Sequence, residues 1–136
     1  RDLSLTQVVL VGAGMDARAF RLRWPAKLAL FGVDDAAVFE LKEPVLRRRR
    51  AKSACVRRIV RATLASAGWS AKLSAAGFDP RRPAAFLMPG LVCLEAATVE
   101  RVFREHGEAA CEGSWLGLDL AGLDTITSPF MKRPRT

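Results

Sequence analysis

Apolar residues fall along this chain in short runs separated by glycine, proline and charged stretches, a pattern that predicts alternating strands and helices. Residues 8–11 (VVLV) form a continuous, β-branched run closed by Gly12, as in a strand buried on both faces of a parallel sheet. Gly12 and Gly14 break the run, and residues 15–22 continue with helix formers and no glycine or proline. Trp24-Pro25 ends that element. Residues 28–33 (LALFGV) predict a second strand closed by Asp34, with Asp35 opening the next helix. Residues 36–52 place Val38, Leu41, Val45 and Leu46 at helical spacing, and Pro44 among them predicts a kink or two shorter helices.

Residues 56–65 predict a third strand, and its charged Arg57, Arg58 and Arg61 place it towards a sheet edge. A turn at 66–68, a helix over 69–76 stopped by Gly77, and a loop at 79–83 follow. Residues 84–88 predict a fourth strand, closed at once by Pro89-Gly90. Residues 91–107 predict one helix with Leu94, Ala97, Val99, Val102 and Phe103 as its apolar side. Residues 113–120 (GSWLGLDL) predict a fifth strand, and the tail from Ala121 predicts no further packed element. The alternation implies an α/β, Rossmann-like fold: a mostly parallel sheet of about five strands with helices on both faces.

The chemistry concentrates at the first turn. Gly12, Gly14 and Ala17 satisfy the GxGxxG/A pattern, and Asp34 follows about 20 residues on, so a dinucleotide is one candidate. Asp16 argues against it, because a carboxylate at the helix start repels a docking pyrophosphate. An acid there suits a ligand with a positive centre and no phosphate, such as the sulfonium and ammonium groups of S-adenosyl-L-methionine. Alternatively, Asp16 caps the helix that follows, and the two roles are compatible. Asp34, closing the second strand, is placed to accept hydrogen bonds from ribose hydroxyls.

The segment VVLVGAGMDARAFRL resembles the glycine loop of the leucine carboxyl methyltransferase-like family of S-adenosyl-L-methionine-dependent O-methyltransferases, with its GAG, an acid two residues on, and spaced Arg18 and Arg21. The likeness continues through Trp24-Pro25, LFGVDDAAVFELK (30–42) and AAGFDPRRPAAFLMPGLVCL (75–94), and faintly through GSWLGLDL. It implies a class I methyltransferase core, truncated at both ends relative to a seven-stranded family sheet, with residues 1–136 forming a single partial domain. It also implies S-adenosyl-L-methionine as cofactor, held by Gly12, Ala13, Gly14, Asp16, Arg18, Asp34, Thr63 and Leu64. The implied acceptor is a small-molecule or protein carboxylate, and no dedicated catalytic residue is required of it.

Three positions depart from the family pattern. Gly32 stands where relatives carry glutamate, Thr63-Leu64 where they carry Asp-Leu, and Pro89 where they carry the glutamate of Glu-Gly-Leu; Cys93 replaces a frequent tyrosine. These changes support a second reading, a non-catalytic binding or interaction module with a basic helix. A nicotinamide dehydrogenase is disfavoured by Asp16.

Composition narrows the picture further. The 136 residues are half hydrophobic and about a quarter charged, and no run approaches the ~18 apolar residues of a membrane helix. The opening RDLSLTQ holds no secretory apolar core, so a cytoplasmic location is expected. Three widely spaced cysteines and one histidine argue against a metal site, and His106 is expected near a helix end without a catalytic part. The net charge of +8 is concentrated: Lys42, Arg47, Arg48, Arg49, Arg50, Lys52, Arg57, Arg58 and Arg61 share one segment with Glu43. Such a block can meet nucleic acid, an acidic protein or a membrane surface, or form a solvated helix face. No aromatic residue interleaves it, which argues against nucleic acid as a partner.

Overall fold

The structure, a computed structural model, describes residues 5–122. Five strands form one sheet in the order β3-β2-β1-β4-β5, every neighbouring pair parallel. They are β1 (Gln7–Val11), β2 (Ala29–Asp34), β3 (Val56–Arg61), β4 (Ala85–Met88) and β5 (Trp115–Leu118). The order reverses between β1 and β4, which opens a crevice beyond the carboxyl ends of these central strands. The expected Rossmann-like α/β architecture is present, with the third strand at an edge as its arginines implied.

Side chains alternate across β1. Val9 and Val11 join Phe31, Val33, Phe86 and Met88 on one face, covered by Trp69 and Leu73 of α3 (Trp69–Ala75) and Val102 and Ala109 of α4 (Ala96–Ala109). Val8, Leu10, Leu30 and Leu87 face the other way, covered by Ala19 and Phe20 of α1 (Arg18–Arg21). Phe39 of α2 (Ala36–Arg48) closes that second face beside Gly32, where a Cβ would lie 3.9 Å from the Phe39 ring and 3.4 Å from the Ala13 methyl. Each fully buried aromatic or branched side chain contributes about 1.5–3 kcal/mol.

Three helices differ from the sequence expectation. The first helix is a single turn beginning at Arg18, because the Asp16 carboxylate accepts the Arg18 N–H at 2.8 Å and holds the preceding residues as a loop. The second runs unbroken through Pro44. The carbonyl that Pro44 leaves without a donor belongs to exposed Glu40, where water can replace the lost bond. The expected helix over 91–107 divides into a 3₁₀ turn (Leu91–Cys93) and α4, with extended Leu94 and Glu95 between them. Phe103 therefore stands 37 % exposed, and the buried side of α4 is Val102, Glu105 and Ala109.

Glu105 is buried for a reason. Its Oε1 accepts the N–H of Gly68 at 2.8 Å and the N–H and hydroxyl of Ser70, each at 3.2 Å, so it supplies the N-terminal cap that α3 lacks locally. The two sheet edges contrast: on β3, Arg57 pairs with Glu43 and Arg58 donates to the Ala76 carbonyl, whereas Trp115, Leu116 and Leu118 of β5 are exposed and uncharged. Residues 123–136, most of the expected unstructured tail, lie outside the described residues.

Candidate functional site

The carboxyl end of β1 runs into a loop that only glycine enters freely. Gly12 and Gly14 adopt φ values of +75° and +46°, left-handed angles that cost a side chain-bearing residue about 1–2 kcal/mol. The loop is fastened to β2 from beneath. Gly12 and Ala13 donate their N–H groups to the Val33 carbonyl at 2.9 and 3.0 Å, and Gly14 donates to Asp34 Oδ2 at 2.6 Å. Asp34 Oδ1 accepts the Asp35 N–H at 2.8 Å, so one carboxylate ties the glycine loop to the start of α2.

Above this fastening lies a cavity of about 570 Å³. Val11, Gly12, Asp34 and Asp35, at the ends of the central β1 and β2, form the inner wall; the flanking wall is Thr63 and Leu64 after β3 on one side and Pro89 and Gly90 after β4 on the other. Leu91, Cys93, Leu94, Glu95 and Thr98 close its far side. Gly90 is held from outside by Asp119, which accepts its N–H at 2.8 Å. The ionisable lining is acidic: Asp34, Asp35 and Glu95 face the space, and no lysine or arginine is among the described lining residues.

Of the residues singled out by sequence, Gly12, Asp34, Thr63 and Leu64 border this cavity directly. Gly14 touches Asp34, while Ala13 is buried beneath the loop against the Gly32 backbone. Asp16 turns away: Oδ1 takes the Arg18 N–H, and Oδ2 lies 3.4 Å from the Arg18 guanidinium. Arg18 borders a neighbouring groove with Leu87, Pro89, Gly117 and Asp119. Lys42 secures the loop from below, its buried Nζ donating to the Asp16 carbonyl at 2.7 Å. Burial strips its ammonium of water and, with the repulsion of Arg57, lowers its pKa below 10.5.

Sequence reasoning passed over Glu95 and Thr98 on the far side of the cavity and noticed Cys93 only as the replacement of a tyrosine; the break before α4 places exposed Cys93 and Glu95 along its rim. Pro89-Gly90, a turn directly after a strand, was the available signal. His106 lies elsewhere, its ring edge-on to Phe86 at 4.6 Å between centroids, and burial lowers its pKa below 6.5. Among the described residues no group of three or more His, Cys, Asp or Glu gathers as a metal site, and no helix is long and apolar enough to cross a membrane.

Residues 2–106 match the family model described as leucine carboxyl methyltransferase. A Streptomyces coelicolor protein is 43 % identical over 121 residues, covering 88 % of this chain and 42 % of its own. A Frankia alni protein is 43 % identical over 115 residues (84 % and 40 %), and one from Mycobacterium avium is 37 % identical over 122 (89 % and 39 %). All three are named "Putative S-adenosyl-L-methionine-dependent methyltransferase". The chain spans about two fifths of the length of these relatives.

Proposed function

The chain belongs to the leucine carboxyl methyltransferase family, and from that premise we propose that its cavity is the donor site of an S-adenosyl-L-methionine-dependent methyltransferase acting on an acceptor oxygen, in particular a carboxylate. The observation that carries the reading is the charge of the lining, three carboxylates without a described cation. A donor with a sulfonium and an ammonium against one carboxylate is net positive and gains from such a wall; a pyrophosphate is repelled by it.

The residues present fit that donor. A carboxylate offers about four acceptor positions, and at Asp34 backbone N–H groups occupy two, which leaves the outward pair for ribose hydroxyls. Gly12 permits close approach of the ligand to the backbone, and Leu64 with Thr63 offers an apolar contact and one hydroxyl to the purine. Ala13 and Gly14 shape the floor. Asp16 and Arg18 contribute as positioning residues, holding the loop from the side away from the cavity. When bound, the donor supplies a methyl group activated by positive sulfur. The chain's own part is to orient the donor and exclude water from it. An acceptor carboxylate is already a nucleophile, so the lining needs no general base, in keeping with the position of His106 outside it. In this reading residues 1–136 work as one partial domain.

Calorimetric titration with S-adenosyl-L-methionine tests the reading, with Asp34→Ala as control. Micromolar binding that the variant loses supports it. The second reading, a module that keeps the sheet without catalysis, draws on Pro89, which presents no polar group to the cavity. Absence of binding by a folded sample would select that second reading and sink the first.

A further inference from the structure

The basic block separates, in the structure, into two populations. Lys42 is buried on the Asp16 carbonyl; Arg57 is paired with Glu43 at 2.6 Å and lies 5.1 Å over the Phe20 ring. Arg58 donates to the Ala76 carbonyl, and Arg61 lies 6.0 Å over Phe39. These four are structural. Arg47, Arg48, Arg49, Arg50 and Lys52 are all exposed and enter no ion pair among the described residues.

Their placement is fixed by the way α2 ends. Arg50 takes a left-handed φ of +51°, its N–H bonds the Arg47 carbonyl, and the Ala51 N–H bonds the Leu46 carbonyl, each at 3.0 Å. This is a Schellman closure built on arginine where glycine is usual. It folds the cations back around the helix terminus. On the outward stripe of the same helix, Leu41 is 67 % and Val45 44 % exposed, at i and i+4, with Arg48 at i+7. An outward helix face thus combines two bare aliphatic side chains with Arg48 and Arg49, while Arg47 lies on another face of the helix, beside Glu40 and Glu43.

We propose that this end of α2 is a contact site for an anionic lipid surface, with Leu41 and Val45 entering the interface and Arg48, Arg49 and the cations that follow the helix end, Arg50 and Lys52, facing headgroup phosphates. Charge complementarity selects an anionic surface, and the aliphatic pair selects lipid over a nucleic acid. A polyanion backbone offers Leu41 and Val45 nothing to bury in, and no aromatic residue stands between residues 40 and 68 to stack on a base. The geometry leaves the cavity accessible: α2 starts beside it at Asp35, and its basic end lies about 20 Å away at a rise of ~1.5 Å per residue.

Co-sedimentation with vesicles tests the site, using phosphatidylcholine alone and phosphatidylcholine mixed with phosphatidylglycerol. The chain is expected to sediment with the mixed vesicles only, and less so as salt rises. Replacing Arg48, Arg49 and Lys52 together by glutamine is expected to weaken partitioning roughly a hundredfold. Leu41→Ser with Val45→Ser is expected to weaken it several-fold without shifting the salt dependence. All five positions are exposed, and unchanged thermal melting would show that both variants fold. Equal sedimentation with neutral vesicles, or none with either, overturns the proposal. So does a serine variant that binds as the parent does, or a duplex oligonucleotide that displaces the vesicles.

Discussion

The two walls of the cavity are built in different ways. On the β1–β2 side the backbone is fastened three times over: two N–H groups share the Val33 carbonyl, and the Asp34 carboxylate joins Gly14 to the start of α2. On the flanks the lining is Thr63 and Leu64 after β3 and, across the sheet, Pro89 and Gly90 after β4, with Asp119 holding Gly90 from outside. The inner wall is fastened by a carboxylate that itself lines the cavity, whereas the flanks are fastened from outside it, by Asp119 and by Arg101, which donates to the Leu64 and Ala65 carbonyls. The inner wall thus offers charge to a ligand, and the flanks offer contact area and the Thr63 hydroxyl.

This contrast breaks most readily at Asp34. Asp34→Ala removes the acceptor of two backbone N–H groups and is expected to lower stability by about 2–3 kcal/mol in urea denaturation, while Thr63→Val on the flanking wall costs under ~1 kcal/mol. Equal losses would mean that the walls do not differ. Gly14→Ala tests the fastening through the backbone alone. Ordinary contacts surround the added methyl, so the left-handed φ accounts for an expected loss of about 1–2 kcal/mol, visible as a lower Tm. Thr63→Asp sharpens the contrast from the other side by giving the flanking wall a charge. Binding of S-adenosyl-L-methionine is expected to tighten about tenfold by calorimetry. Asp119→Ala frees the Gly90 N–H at an exposed position, and a change of only a few-fold in donor affinity is expected.

The last test concerns pH, through the single histidine, which packs on Phe86 of β4 behind the second wall. Burial lowers the His106 pKa below 6.5. Between the folded value and 6.5 the unfolded chain binds a proton that the folded chain does not. Stability therefore rises with pH through that window and falls as the solution is acidified below 6.5. His106→Gln is expected to flatten this part of the denaturation profile, and a variant that keeps the parent's slope would assign it to other groups.

The sheet was legible in the sequence because buried parallel strands leave uninterrupted apolar runs, and glycine or proline marked where each ended. Asp34 was legible as a cavity residue because it closes the second strand, whereas Thr63-Leu64 were reached only through the family resemblance, since the charged β3 leaves no clear apolar run to show where it ends. Helix limits were less so, since they depend on single hydrogen bonds that periodicity does not register. The Asp16 carboxylate shortened α1, and extended Leu94-Glu95 divided the helix after β4, placing Glu95 along the cavity rim. The basic block read as one feature. Only tertiary neighbours such as Glu43, Phe20 and the Asp16 carbonyl separate its structural cations from its free ones.

Glu105 sets an order of events in folding. A seven-residue helix does not persist alone, and the acceptor for the first N–H groups of α3 lies 37 positions along the chain from Gly68. α3 can therefore become permanent only after β4 has crossed over and α4 has docked, so the two helices on that face mature as one cooperative unit. Their amide hydrogens are expected to exchange together, as those of one cooperative unit.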